Sequence, residues 1–72
     1  MEAHELNWFD LDAIATDVPT DSMPDLLADA LQETVDGDTV KLDWFELDKI
    51  RANAKEGSAG RERAAKLQNE LV

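Results

Sequence analysis

The large apolar residues of this chain follow a spacing that recurs. Leu6, Trp8, Phe9, Leu11 and Ile14 are matched 36 residues later by Leu42, Trp44, Phe45, Leu47 and Ile50. Asp12 and Asp48 accompany them. Further along, Ser22, Ala28, Leu31 and Gln32 fall on Ser58, Ala64, Leu67 and Gln68, making ten identities in 36 positions without a gap. The pairs include both Trp and both Phe residues of the chain, so chance is a poor account. A fixed period in this range marks supersecondary units that cannot bury an apolar face alone. Two copies, 1–36 and 37–72, predict a single domain made of a closed pair.

The repeated block reads as a helix start. Asn7 and Asp43 are N-cap residues, and Asp10 and Glu46 stand three positions on, as a capping box requires. Leu6 and Leu42 precede the caps, and Leu11 and Leu47 follow them at the spacing of a hydrophobic staple. A competing pattern is present. Val40, Leu42 and Trp44 alternate with Lys41 and Asp43, as in a half-buried strand, and His4, Leu6 and Trp8 do so more weakly. The cap and staple explain more positions, so the expectation is helix.

The first helix should run from Trp8 to about Thr16, ending before Pro19. Ser22 should cap the second, with Pro24 in its first turn and Asp25 three residues after the cap. Leu27, Ala30, Leu31 and Thr34 share a face there, with Met23 and Val35 beside it. Asp36-Gly37-Asp38 signals a turn. A third helix is expected from Trp44 to about Lys55. Gly57 suits its end and Ser58 the next cap. The fourth should turn Ala64, Leu67 and Leu71 inward and expose Glu62, Lys66 and Glu70. One continuous helix through this region is the alternative, opposed by Gly57 and Gly60, each costing about 1 kcal/mol against Ala in a helix interior. The fold expected is all-α: four short helices in two pseudo-repeated hairpins. A chain of 72 residues without cysteine has no disulfide to support a small core, so a homodimer is expected too.

Charge separates the copies. Residues 1–36 hold ten acids and no Lys or Arg; residues 37–72 hold seven acids and seven bases. The bases Lys49, Arg51, Lys55, Arg61, Arg63 and Lys66 against Glu56 and Glu62 make segment 49–66 positive by four. Asp25, Asp29 and Glu33 form a like-charged i,i+4 stripe, which weakens a helix by a few tenths of a kcal/mol per pair. A solvated face or a generally acidic proteome accounts for such a run. So does recognition, either of the 49–66 segment of a second copy or of a basic partner whose nucleic-acid groove the stripe imitates.

Catalytic and metal chemistry find little to work with. His4 is the only imidazole, and Asp10 with Asp12, or Asp36 with Asp38, supplies two calcium ligands without the rest of a loop. Paired carboxylates without a concave site do not make an acid–base pair. Asp21-Ser22-Met23 resembles the Asp-Ser-Leu phosphopantetheine site of acyl carrier proteins, which implies a prosthetic group on Ser22. The resemblance covers those three residues and the following helix. Carrier proteins have a longer first helix and loop than the 21 residues preceding Ser22 here, and neither Pro24 nor the duplication belongs to their pattern. On the residues alone Ser22 is a cap.

Direct nucleic-acid binding is opposed by the net charge of −10, although Arg61 and Arg63 sit where an anion could be touched. Trp8 and Trp44 are core anchors or, alternatively, partly exposed contacts for a partner. The expectation is therefore a non-enzymatic, cofactor-free protein-interaction module, an adaptor or regulatory subunit. An acidic inhibitor of a nucleic-acid-binding surface is the alternative. Polar, acidic residues at 1–5 and the lack of any long apolar run predict a cytoplasmic protein with no membrane contact.

Overall fold

The computed structural model describes residues 2–71. Two short strands and four helices follow one another as β1 (Ala3–Leu6), α1 (Trp8–Ala15), α2 (Asp25–Thr34), β2 (Val40–Asp43), α3 (Trp44–Asn53) and α4 (Ala59–Asn69), with one 3-10 turn at Thr20–Ser22. Each half is thus a β-α-α unit. The fold is mixed α/β, which corrects the all-α expectation. Alternation and capping, which compete on paper, lie end to end. The chain runs extended through Leu6 and Asp43, and the N-caps Asn7 (φ −96°, ψ 179°) and Asp43 (φ −85°, ψ 179°) are still extended where the helices begin. Four residues form no strand alone. Each strand exists because the other unit supplies its partner, a non-local pairing that a local helix signal cannot reveal.

The strands pair antiparallel, with Ala3 opposite Asp43, His4 opposite Leu42, Glu5 opposite Lys41 and Leu6 opposite Val40. Glu5 and Lys41 are also 36 apart. Exchanging the strands therefore maps the ladder onto itself, and a local two-fold axis passes between these two residues. On one face Leu6 and Leu42 are buried, with His4 and Val40 half-buried; Glu5 and Lys41 face solvent.

Both capping boxes form in full. Asn7 Oδ1 accepts from Asp10 N at 2.9 Å and Asp10 Oδ2 accepts from Asn7 N at 3.2 Å. Asp43 and Glu46 do the same at 2.8 and 3.0 Å. The core gathers both units' residues: Leu6, Leu11, Ile14 and Val18 from one, and Leu42, Leu47, Ile50 and Ala54 from the other, with Leu27, Ala30 and Ala64. Every one of the first four is 36 residues from its counterpart.

Beyond that point the register changes. Nine residues separate α1 from α2, but only five separate α3 from α4. The first helices start 36 apart (Trp8, Trp44) and the second helices 34 apart (Asp25, Ala59). In this register Ala30 corresponds to Ala64 and Thr34 to Gln68, and all four are buried. Ala28 and Gln32, identical to Ala64 and Gln68 at a shift of 36, are exposed. Ser22 does not cap α2, correcting that expectation. Pro24 holds the residue before it out of the helical region (Met23 ψ 117°), so the helix starts at Asp25, with Pro24 itself at the cap and no side-chain cap bond. Gly57 (φ +78°) ends the α3–α4 connection in the left-handed region, and Ser58 Oγ accepts from Arg61 N at 3.2 Å. The third and fourth helices are separate.

Asp17 joins the units. Its backbone carbonyl accepts from Lys55 N at 2.7 Å, and its carboxylate accepts from Gly60 N at 2.7 Å, at the first turn of α4. Any Cβ on Gly60 would lie 2.8 Å from Ile14 O and 2.7 Å from Asp17 Oδ2, so α4 approaches α1 as closely as it does only because residue 60 is glycine. The accessible surface of 4620 Å² is close to the roughly 4450 Å² typical of a folded monomer of this mass. No helix among the described residues is long and apolar enough to cross a membrane.

Candidate functional site

The duplicated helix start produces a duplicated surface feature. In each unit the N3 side chain turns back to the cap, and the next residue, Leu11 or Leu47, enters the core. The residue before the N3 position is left on the outside. Phe9 is 76% exposed and Phe45 64%, the most exposed large apolar residues among those described, with Val35 at 59%. Trp8 and Trp44 are half-buried beneath them, neither pure core nor free anchors. Each Trp meets its Phe edge to face, with centroids 5.4 Å apart in the first unit and 5.3 Å in the second, a favoured aromatic geometry. Val35, expected beside the buried face of α2, instead lies outside at the helix end.

The surroundings of the two Phe residues differ. Asn7, Trp8, Phe9, Thr34, Val35 and Gly37 line a shallow depression of about 270 Å³. Next to it, Gln32, Glu33, Asp36, Asp38 and Thr39 line a wider, open one of about 590 Å³. Both hollows are bordered by the same short stretch, residues 32–39, which gives Thr34, Val35 and Gly37 to one and Gln32, Glu33, Asp36, Asp38 and Thr39 to the other. Phe45 instead has Lys41 four residues before it and Lys49 four after, both exposed.

Asp25, Asp29 and Glu33 are all exposed along α2, and no ion pair among the described residues involves them. The basic set is less unified. Lys49, Lys55 and Arg63 are exposed and Arg61 is half-buried. On α4, Arg63 and Lys66 share a shallow hollow with Glu62 and Glu70, so the surface there is of mixed sign. Arg51 is committed internally. Its Nε donates to Gln68 Oε1 at 2.7 Å and its guanidinium pairs with Asp48. Gln68 Nε2 also donates to Trp44 O (3.2 Å) and Asp48 Oδ1 (3.3 Å). The hydrogen bond from Arg51, then that from Gln68, hold the Asp48 carboxyl below the ordinary carboxylate range. Nothing equivalent forms in the first unit, where Ala15 stands in place of Arg51 and Gln32 is exposed.

His4 Nε2 lies 3.1 Å from Glu70 Oε1, linking β1 to the end of α4, but off the line a hydrogen bond needs. Ser22 is exposed at the end of the 3-10 turn rather than at a helix start, so the geometry implied by the carrier-protein resemblance is not present. Asp10 and Asp36 join no group of three or more potential metal ligands among the described residues.

Sequence reasoning passed over Phe9, Phe45 and Val35 as surface features, and Asp17, Gln68 and Gly60 as joints. For the Phe pair a signal existed: a staple and a capping box together leave only one outward direction, and residue 9 or 45 occupies it. No family model, curated protein or solved structure matches the chain.

Proposed function

We propose that the chain is a protein-interaction module, an adaptor, docking or regulatory subunit, that acts by binding rather than by catalysis. The observation that carries this reading is the exposure of Phe9 and Phe45 at the same position of two units, each seated on a half-buried Trp. An exposed aromatic side chain backed by a rigid aromatic neighbour is the kind of group that dominates binding energy at protein interfaces. Charge complementarity supports it, since a first unit with ten acids and no bases favours a basic partner. The acidic, cysteine-free composition is in keeping with a cytoplasmic setting. A second copy is the weaker candidate partner: the acidic unit of one chain can face the exposed Lys49, Lys55 and Arg63 of the other, but the net charge of −10 on each molecule opposes it.

The test is quantitative capture from host lysate at low and high salt, wild type against the double variant Phe9→Ser, Phe45→Ser. Proteins enriched by the wild type and lost with the double variant are expected. Identical capture profiles for the two baits remove the reading. The unpaired stripe of Asp25, Asp29 and Glu33 favours a second reading, an inhibitor occupying a basic nucleic-acid-binding surface. There, added nucleic acid should displace the protein from its target, and an inability to compete eliminates that alternative.

A further inference from the structure

We infer that the Trp8–Phe9–Val35 hollow of the first unit, and not its counterpart at Phe45, is a docking site for a basic peptide segment of another protein, one aliphatic or aromatic side chain flanked by Lys or Arg. This rests on the interaction reading above and names the site and the chemistry of its occupant. The hollow is apolar where Phe9 and Val35 meet and has about 270 Å³ of space, room for a single large side chain. The same stretch of chain that supplies Thr34, Val35 and Gly37 to it carries Glu33, Asp36 and Asp38 in alternation with them, all exposed and lining a second, open hollow. A segment that seats its apolar group against Phe9 therefore brings flanking cations over three carboxylates. No ion pair among the described residues involves any of the three.

The pseudo-equivalent position excludes the same occupant. Lys41 and Lys49 stand four residues before and after Phe45 in sequence, both exposed, where the first unit has Glu5 and Ala13. The substitutions that separate the copies thus make one Phe attractive to a cationic segment and the other repulsive. Like-charge juxtaposition at an interface is an effective means of refusing a partner. A second copy of this chain is disfavoured as the occupant by mutual repulsion between molecules of net charge −10.

The protein reports on itself. In a Trp44→Phe background Trp8 is the sole indole, and it touches the Phe9 ring. The probe is a short amidated peptide of Lys, Leu and Phe, with a Lys-only oligomer for comparison. Expected are a saturable change in Trp8 emission with the first peptide, weakening of roughly tenfold or more for Phe9→Ser or Val35→Ser, and weakening with added salt. Replacing Glu33, Asp36 and Asp38 together by their amides should weaken binding comparably. Phe45→Ser should leave it unchanged. Circular dichroism confirms that each variant is folded, and both Phe9 and Val35 are exposed enough for that to hold. No emission change at any peptide concentration, equal binding of the Lys-only oligomer, or insensitivity to Phe9→Ser overturns the inference. So does self-association by sedimentation that Phe9→Ser abolishes, which would make a second copy the occupant. If lysate capture remains Phe45-dependent while the peptide fails to bind, the interaction reading stands and this site assignment alone falls.

Discussion

The two β-α-α units share a plan and diverge in how each is finished. In the first, α2 buries Leu27 and Ala30. Its one buried polar side chain, Thr34, satisfies itself locally, its hydroxyl donating to Ala30 O at 2.9 Å. In the second, the corresponding position is Gln68, which reaches across to α3 and is held by Arg51, Asp48 and the Trp44 carbonyl. The first unit is closed by hydrocarbon and presents bare carboxylates. The second is closed by a polar network and spends charge internally. Two copies of one backbone plan can therefore carry different surfaces, because the charge that one exposes the other ties down.

The comparison is tested most severely in the core. Leu11→Ala and Leu47→Ala remove side chains that are both fully buried, and each should cost about 2–5 kcal/mol. Chemical denaturation should find the two losses within about 1 kcal/mol of each other, by the same core-deletion reasoning; a larger gap breaks the equivalence of the first helices. Next, Gln68→Ala leaves Arg51 Nε without its acceptor and removes the side-chain links from α4 to α3, and should cost about 1–3 kcal/mol, whereas Gln32→Ala, at an exposed site, should stay within about 0.5 kcal/mol. Equal effects would mean that the 36-residue register continues through the second helices. Gly60→Ala should also destabilise, by about 1–2 kcal/mol in thermal melts, because overpacking against Ile14 O and Asp17 exceeds the helix-propensity gain of about 1 kcal/mol. Stabilisation would show that α4 is free to move away from α1.

The smallest effect is a pH dependence. The Asp48 pKa is lowered in the folded protein. Its contribution is therefore present above the ordinary carboxylate range and lost as pH falls through the lowered value. The melting-temperature difference between wild type and Asp48→Asn should be largest above about pH 5 and should narrow toward about pH 3. A difference that stays constant across that range would remove the Asp48–Arg51 pair from the acid response.

Much of the helical plan could be read in advance because its causes are local. Caps, staples and turn glycines act over three to five residues, and Asn7, Asp43, Gly37 and Ser58 all act where their spacing places them, whereas Gly57, expected to end α3, lies past the cap Ala54 in the turn before Ser58. The strands were legible only as the competing alternation at His4–Trp8 and Val40–Trp44, outweighed by the caps, because their hydrogen bonds join residues nearly forty apart and a four-residue alternation is weak until its partner is known. Gln32 and Gln68 show a second limit. Their identity at a shift of 36 suggested like environments, but the shorter α3–α4 connection slides the second helix by two positions, more than half a turn, and turns one Gln outward. For the candidate site, the charge division was visible and the hollow was not. It depends on Val35 and Gly37 coming up beside Phe9, which is set by how α2 packs on α1.

The ladder of β1 and β2 bears on partner choice at the level of the units themselves. A separated first unit meeting its own twin through the same hydrogen bonds would set Glu5 against Glu5, and a second unit meeting its twin would set Lys41 against Lys41. Only the mixed pairing places opposite signs at the centre of the ribbon, and directly opposed like charges weaken a sheet. Divergence at a single symmetric position thus turns a self-complementary edge into one that prefers its sibling to itself.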